Sequence, residues 1–442
     1  MSRQSLYGQL YDEIKQDILS GRLADGTKLP SKRAQAERSG VSVVTVETAY
    51  AQLAAEGYIT ARERSGYYVC AGEMPPAVPQ IQPEPEDIAE ETVQESAAGG
   101  SGLFPFSVWT RLMRTVILEK GNALLSPVPS GGAPELQRAV SDYLKSFRGI
   151  SVPPHRIIVG AGTEYLNNVL VQLLGVNLTY AVENPGYHKP SRIYRLNGAL
   201  CLPVGLDEQG ICASQLYYNN VDVAHISPAH HFPTGTVMPV SRRLELLKWA
   251  VQRNGYIIED DYDSEFRWVG RPVPTLFGLD NSGRVIYMNT FSMTIAPSVR
   301  IGYICLPPEL YELWRQRMSF CSCPVPAFEQ YTLARFISDG HFERHINRMR
   351  KHYRRIREIV IQLAVKYAGA ENVSEDEAGL HFIVRISADD PLKQIYESCG
   401  VRVTPLSAYY DEGSEVPESA LDKYVVNYSS ADISRFSEVL SE

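Results

Sequence analysis

The sequence predicts an α/β protein in which a small helical domain precedes a large domain built on a mainly parallel sheet. Three observations predict it. In residues 1–70, three short helical segments are followed by two strand-like segments. Residues 71–100 hold five prolines and seven acidic residues but no basic one, which is typical of an extended or disordered linker. From Leu103 onward, apolar strand-like runs alternate with helical segments, the pattern of an α/β domain.

Size and composition limit the class of protein. The 442 residues give room for two or three domains, and a net charge of −8 argues against a protein that coats nucleic acid. That charge still allows a small DNA-binding domain attached to an acidic body. No run of about 18 apolar residues is present, and the seven cysteines lack the spacing of a disulfide framework. We therefore expect a cytoplasmic protein without a membrane span.

The first seventy residues carry the pattern of a winged helix-turn-helix. Apolar residues recur at helical spacing over residues 6–19. Ser31 and Ser42 stand where they would cap a second and a third helix. A glycine ends the third helix, and residues 58–69 alternate like the two strands of a hairpin. Three short helices followed by a hairpin are typical of this DNA-binding fold.

The order of motifs in this segment resembles the DNA-binding domain of GntR-type transcription regulators. The matching stretches are Leu29-Pro30-Ser31-x-Arg33, Gly40-Val41-Ser42-x-x-Thr45-Val46 and Ala49-Tyr50-x-x-Leu53-x-x-Glu56-Gly57-Tyr58-Ile59. The resemblance implies that operator DNA is contacted by Arg33, Ser42, Val43, Thr45, Arg64 and Gly66. Serine and threonine at the start of a helix can bind phosphates or base edges.

Two positions depart from that family. Many GntR proteins have an arginine after the capping serine, where this chain has Val43, and a basic residue near Glu47. Arginine paired with guanine is the commonest specific contact, so its absence suggests either that Val43 and Val44 contact thymine methyl groups or that a single domain binds weakly. Residues 1–70 contain 9 basic and 8 acidic residues, so we expect a homodimer to be needed for useful affinity.

Two strands of the large domain end in polar segments that suit a ligand. The first strand leads into the small-residue turn Gly160-Ala161-Gly162-Thr163 and then a helix, which is either an anion-binding turn or an ordinary one. The second leads into the acidic cluster Glu259-Asp260-Asp261-Tyr262-Asp263. Residues two apart share a face of a strand, so Asp260 and Tyr262 can address one ring. A metal site is the alternative for so many acids.

A third segment, Tyr287–Tyr303, consists of the end of a buried strand, a polar turn and a second apolar strand. With the two segments above, it resembles the cofactor site of fold-type I pyridoxal-phosphate (PLP) enzymes, in the form carried by the MocR/GabR group of GntR-type regulators. In that group the turn is Thr-Phe-Ser-Lys-Thr, and its lysine forms the Schiff base with PLP. This chain has Thr290-Phe291-Ser292-Met293-Thr294, and a thioether cannot form an imine.

The resemblance implies which residues would surround a noncovalently bound PLP. It assigns the phosphate to the glycine turn and to hydroxyl and guanidinium donors after it, the ring nitrogen to Asp260, the ring hydroxyl to Tyr262 and the stacked face to Tyr187. The implied cofactor-binding residues are Ala161, Gly162, Thr163, Tyr187, Asp260, Tyr262, Thr290, Ser292 and Arg300. No catalytic residue and no metal ligand is implied.

Three further expectations depend on the same resemblance. His230 lies near the cofactor or is a buried structural histidine. Family members have an arginine for the substrate carboxylate after the strand at residues 424–428, where this chain has Ser429-Ser430, so recognition of an α-amino acid is in doubt. Lys189 and Lys248 lie in other sequence contexts, so no substitute for the lysine is evident.

An arginine-rich helical segment runs from Glu343 to Arg357. Such a segment is either a solvated helix face or a supplementary DNA-binding patch. The sequence alone leaves both interpretations open.

Together these observations predict a fold-type I aminotransferase-like domain with helices on both faces of its sheet and a small C-terminal α+β subdomain. We expect the DNA-binding domain at 1–70, the linker at 71–100 and the aminotransferase-like domain at 101–442, with the small subdomain at about 340–442. The predicted function is a transcription regulator that senses PLP, or a PLP-linked or amino-acid-like effector, as a domain-swapped homodimer on operator DNA. The alternatives are a PLP-dependent aminotransferase and a PLP-binding regulator in which a lysine was changed to Met293.

Overall fold

The computed structural model describes residues 6–70, 103–268, 270, 273–374 and 378–439. The chain divides into two compact units, Met1–Thr92 and Val93–Glu442. The expected linker at 71–100 lies outside the described residues. Along the described parts of the chain, no helix has both the length and the apolar character needed to cross a membrane.

The N-terminal unit is a winged helix-turn-helix, as predicted. Its elements are α1 (Leu6–Leu19), α2 (Lys32–Ser39), α3 (Val43–Ala55), β1 (Ile59–Arg62) and β2 (Gly66–Val69). The Ser31 and Ser42 side chains accept hydrogen bonds from the N–H groups of Ala34 and Thr45, so both serines cap helices as expected. Gly40 adopts the left-handed conformation (φ 66°) that ends α2 and turns the chain into α3.

The second unit is organised around an eight-stranded sheet in the order β3-β10-β9-β8-β7-β4-β5-β6. Only β10 and β6 run antiparallel to their neighbours, so the predicted mainly parallel sheet is confirmed. The strands are β3 (Ile157–Gly160), β4 (Thr179–Asn184), β5 (Leu200–Asp207), β6 (Gly210–Ile211), β7 (Val223–Ile226), β8 (Tyr256–Asp260), β9 (Val285–Thr290) and β10 (Gly302–Cys305).

Helices flank this sheet and supply its apolar cover. They are α4 (Phe106–Lys120), α5 (Pro134–Phe147), α6 (Thr163–Leu174), α7 (His188–Leu196), α8 (Ala213–Tyr218), α9 (Val240–Arg253), α10 (Leu276–Leu279), α11 (Pro308–Met318) and α12 (Ala327–Ser338). Every residue of β7 and β9 is buried. Strands covered on both faces are continuously apolar rather than alternating, which explains why these runs were recognisable in the sequence.

A smaller sheet follows the longest helix, α13 (His341–Ala368). Its strands lie in the order β11-β13-β12, all antiparallel. The elements are β11 (His381–Arg385), α14 (Pro391–Ser398), β12 (Arg402–Pro405), β13 (Lys423–Asn427) and α15 (Ile433–Val439). One face of α13, including Tyr353, Ile356 and Val360, packs into a shared core with residues of this sheet, which forms the expected α+β subdomain.

Candidate functional site

The carboxyl ends of the parallel strands bring the candidate site residues to one edge of the large sheet. Gly302, at the start of β10, is in register with both Gly160 and Thr290, the last residues of β3 and β9. Asp260 ends β8, which pairs with β9. Ligands of open α/β sheets bind outside these strand ends. The chain geometry therefore gathers segments that lie up to 140 positions apart in the sequence, from Gly160 to Arg300.

A cavity of about 410 Å³ lies at this edge, with residues of both sheets in its walls. Most of the residues that sequence reasoning selected line it: Thr163, Tyr187, Asp260, Tyr262, Thr290, Ser292, Met293 and Arg300. Ala161 and Gly162 are not among its lining residues. Ala161 instead packs against the apolar core beneath the sheet.

One end of the cavity carries hydroxyl and guanidinium donors at the start of α6. Thr163 is the first residue of that helix, and Gly162 (φ 85°) precedes it. A Cβ on Gly162 would lie 2.9 Å from Nη2 of Arg300, so only glycine lets the guanidinium approach the turn this closely. Thr290 Oγ1 donates to Ser292 Oγ at 3.1 Å, which places both hydroxyls at the same end.

Lys189, which the sequence analysis set aside because it lies in another sequence context, also lines the cavity at this end. Its ammonium group contacts Glu164 Oε1 at 2.6 Å, and Arg300 Nη2 contacts Glu164 Oε2 at 3.2 Å. Lys189 is the second residue of α7 and lies far in sequence from the turn that contains Met293. Nothing in its local motif could have signalled this position; it follows from the packing of α7 against α6.

Asp260 contacts the first of a series of buried polar side chains. Asp260 Oδ2 lies 3.5 Å from Nε2 of His225, whose Nδ1 lies 2.6 Å from the Tyr194 hydroxyl. Tyr194 also contacts Asn167 Oδ1 at the longer distance of 3.2 Å. The Tyr194 hydroxyl has one proton, which it donates either to Asn167 Oδ1 or to His225 Nδ1; donation to Nδ1 would leave Nε2–H directed at Asp260. Asp260 Oδ1 is buried and has no hydrogen-bond partner among the described residues.

The other acids of the cluster each contact a different partner. Glu259 accepts hydrogen bonds from the N–H groups of Leu276 and Phe277. Asp261 Oδ2 contacts Arg148 Nε at 2.9 Å. Asp263 Oδ2 contacts His230 Nδ1 at 2.8 Å. Among the residues that the structure describes, no group of three or more histidine, cysteine or acidic side chains could hold a metal ion.

His230 is thus buried against Asp263, and its carbonyl oxygen accepts a hydrogen bond from the Tyr262 hydroxyl at 3.2 Å. These contacts favour the structural interpretation of His230. Its neighbour His231 is the one that lines the cavity. Burial, and then the proximity of His230, lower the pKa of His231 to about 3, so its ring stays neutral near pH 7.

Glu183 is a second buried carboxyl group in the cavity wall that sequence reasoning did not select. Its Oε2 accepts a hydrogen bond from the Ser227 N–H at 2.8 Å and lies 3.6 Å from Nε2 of His231. Burial raises the pKa of Glu183 to about 8, with Asp260 raising it further and the Ser227 hydrogen bond opposing the shift. Glu183 is therefore largely protonated near neutral pH, and Asp260 faces a neutral rather than a charged neighbour.

Met293 lines the cavity and also packs against the core of the small subdomain. It is half-buried, on the turn between β9 and β10. A thioether offers this position apolar contact and a weak acceptor, but no amine.

The opposite wall of the cavity is a row of polar side chains on the small sheet. Asn427 of β13 is in register with His381 of β11 and with Arg402 of β12. Side chains directly opposite on antiparallel strands share a face, and all three residues line the cavity. Ser429 and Ser430, the residues considered in the sequence, do not line it; Ser430 donates to the Gly400 carbonyl instead.

In the N-terminal unit, some of the residues expected to contact DNA have exposed side chains, and others have side chains that form hydrogen bonds within the domain. Arg33, Val43 and Arg64 are exposed, and Arg64 has a positive φ of 59° at the hairpin tip, next to Gly66. Ser42 and Thr45 share a hydrogen bond of 2.8 Å, so the Ser42 hydroxyl serves the cap. Glu47 Oε1 is paired with Lys32 Nζ at 2.5 Å.

Comparison with known proteins agrees with both units. Residues 6–69 match the family of bacterial regulatory proteins of the gntR type, and residues 98–414 match aminotransferase class I and II. The chain is 37% identical to the uncharacterized HTH-type transcriptional regulator YdeL of Bacillus subtilis, over 92% of this chain and 90% of that one. It is 32% identical to the probable rhizopine catabolism regulatory protein MocR of Rhizobium meliloti, over 92% and 87%.

Among solved structures, an archaeal alanine:glyoxylate aminotransferase superposes with a TM-score of 0.65 at 24% identity, covering 77% of this chain and 86% of that one. This likeness confirms the fold-type I fold. A GntR-type DNA-binding domain joined to an aminotransferase-like domain defines a class of transcription regulator. The chain belongs to that class, the family of HTH-type regulators of the MocR type.

Proposed function

We propose that this regulator binds PLP, or a PLP-linked amino acid, noncovalently in the cavity and responds to it as an effector. The observation that carries the proposal is that the cavity has polar side chains suited to each part of PLP but has Met293, which has no amine, in place of the Schiff-base lysine. Asp260 Oδ1 is a buried acceptor without a partner among the described residues, and a protonated ring nitrogen is the donor that such an atom suits.

The cavity residues divide into those that suit a phosphate and those that suit a pyridine ring. Thr163, Ser292 and Arg300 would bind the phosphate at the start of α6, where backbone N–H groups and the helix dipole favour an anion. Thr290 supports Ser292. Ala161 and Gly162 would act through the backbone of the turn. Tyr187 would cover the ring and Tyr262 would bond its hydroxyl group.

Such a site would retain the cofactor without its catalytic use. PLP supplies an electron sink when it is bound, but transamination also requires an amine that holds the cofactor and moves protons. Met293 can do neither. The residues that remain would bind, orient and shield the ring, which is what a sensor requires.

The alternative function is an aminotransferase that uses another amine. Lys189 is the observation in its favour, because it lines the cavity. Its ammonium group, however, contacts Glu164 at the end that suits the phosphate, and an ion-paired ammonium is a poor nucleophile.

The wall formed by the small sheet favours an amino-acid-like effector. Arg402 is a permanent cation, whereas burial and the neighbouring histidines hold the pKa of His381 well below its usual value. Arg402 therefore supplies the positive charge at this end of the cavity. A guanidinium group binds a carboxylate with two parallel hydrogen bonds, so Arg402 would replace the arginine that family members have just after the strand at residues 424–428.

The regulator would act in the cytoplasm as a homodimer, because a nearly neutral DNA-binding domain gains useful affinity from a second copy. Its domains would comprise residues 1–70, a linker at 71–100 and residues 101–442.

The Asp260→Asn substitution tests the cofactor site. We expect wild-type protein to bind PLP reversibly, so that dialysis removes it, and the variant to bind about ten- to hundredfold more weakly, because a charged hydrogen bond contributes about 1.5–3 kcal/mol. Calorimetric titration measures both affinities. Asp142→Asn, at an exposed carboxylate on α5, is the matched control. Equal affinity in the two variants, or no PLP binding by the wild type, would contradict the proposal.

The Arg402→Gln substitution tests the effector class. We expect the wild type to prefer N-phosphopyridoxyl-alanine over N-phosphopyridoxyl-ethylamine, which lacks only the carboxylate, by about tenfold or more. The variant should lose this preference and keep its affinity for PLP. Arg385→Gln, at an exposed arginine of β11 that pairs with Asp422, should behave like the wild type. A preference that survives in Arg402→Gln rules out this role for Arg402.

The Arg33→Ala substitution tests the DNA-binding domain. In gel-shift titrations with the DNA upstream of its own gene, we expect the variant to bind about tenfold more weakly, because the exposed Arg33 side chain would contact DNA. Arg22→Ala removes another exposed cation of the same unit, one that pairs with Asp17, and should have little effect. Equal losses in both variants would show that only the overall charge matters.

A further inference from the structure

The first half of α13 presents a row of basic side chains to solvent. Arg344, Arg348, Lys351 and Arg355 are all exposed. At 3.6 residues per turn these positions fall within about 60° of one another around the helix axis, over a length of about 16 Å. We call these four residues the α13 basic face. The opposite side of the helix is buried in the core, so the direction of the face is fixed.

The charges of the α13 basic face are not neutralised by ion pairs among the described residues, although Asp339 lies beside Arg344, whose Nη2 donates to its carbonyl oxygen. None of its four residues forms an ion pair within the described parts of the chain. Glu343 and Glu358 are the exposed acids on this part of α13, at either end of the row. Elsewhere the protein is acidic, with a net charge of −8. The α13 basic face is therefore locally positive on a chain whose net charge is negative.

This arrangement destabilises the helix that carries it. Like charges at positions i and i+4, such as Arg344 with Arg348, repel each other by a few tenths of a kcal/mol. Cations near the N-terminus of a helix also oppose its dipole. A solvated helix face would avoid both costs by mixing acids with bases, as α11 does where Arg315 pairs with Glu312 at 2.8 Å.

The basic surface continues beyond α13. His341, the first residue of the helix, lies 2.9 Å from Arg344 Nη2 and 3.5 Å from Nη2 of Arg111 on α4. Arg111 is itself exposed. Burial, followed by the two arginines, lowers the pKa of His341, so its ring stays neutral and accepts from an arginine through only one of its two nitrogens. One continuous surface thus runs from α4 along α13.

We propose that the α13 basic face binds the phosphate backbone of DNA, as a second and sequence-independent contact of the regulator. The inference rests on the proposed function, which supplies DNA as a partner. A regular row of cations about 16 Å long, with no apolar side chain among its four members, suits an extended polyanion better than a compact ligand or an apolar protein surface. The contact would add affinity and salt dependence without adding sequence preference.

The test replaces three members of the face in the full-length protein, Arg348→Gln, Lys351→Gln and Arg355→Gln. Glutamine keeps a high helix propensity, and circular dichroism checks that α13 is retained. The matched control carries the same change of charge at exposed sites elsewhere, Lys145→Gln, Arg317→Gln and Lys366→Gln. Affinity is measured by fluorescence anisotropy between 0.05 and about 0.3 M salt, on DNA from upstream of its own gene and on a random duplex of equal length.

We expect the slope of log K against log salt concentration to fall by about 0.9 for each phosphate that is no longer neutralised, hence by about 2 to 3, only in the first variant. At about 0.1 M salt, each such phosphate corresponds to about an eightfold decrease in affinity, equal on both DNAs. A slope like that of the wild type, or an equal change in the control, overturns the inference. If Arg33→Ala weakens binding while the face variant does not, the inference fails alone; if the wild type binds neither DNA, the proposed function fails with it.

Discussion

The carboxylate of Asp260 is the constraint on which the rest of the candidate site depends. It stands at the end of a buried strand, with Oδ2 3.5 Å from Nε2 of His225 and with Oδ1 buried and without a partner among the described residues. Leaving a buried carboxylate oxygen unpaired is unfavourable unless a ligand satisfies it. His225, Tyr194 and Asn167 are all buried to hold that carboxylate in one orientation. In the proposed function, this unpaired oxygen would accept a hydrogen bond from the ring nitrogen.

The two sheets of the second unit complete the cavity from opposite sides. On one side, the segments at the edge of the large sheet contribute the start of α6, Asp260 and Met293. On the other side, the small sheet contributes Arg402 and the polar residues in register with it. A ligand that contacts both walls binds best to one relative position of the two sheets, and its binding therefore shifts the population toward that position. Met293 offers no amine, and this coupling requires none. In the proposed function, occupancy of the cavity by a ligand is what the regulator would transmit.

Much of the fold and of one half of the site could be predicted from the sequence, because those features are local. The caps at Ser31 and Ser42, the turn before α6 and the acids after β8 are each contained in a few consecutive residues. Arg402 and Lys189 could not be found this way, since they reach the cavity through strand register and helix packing between distant segments. The residues after β13 gave no signal of Arg402, because Arg402 lies on the neighbouring strand β12.

The most direct test of the central claim, a cofactor pocket that lacks only its covalent anchor, restores the lysine. Met293→Lys and wild-type protein are incubated with PLP and reduced with borohydride. Intact-protein mass spectrometry then detects any adduct, and peptide mapping locates it. Leu118→Lys, at a residue 79% exposed on α4, controls for adding a lysine away from the cavity. The account predicts one reduced adduct at position 293 in Met293→Lys and none in the other two proteins. An adduct on Lys189 of the wild type, or no adduct on Met293→Lys, would contradict it.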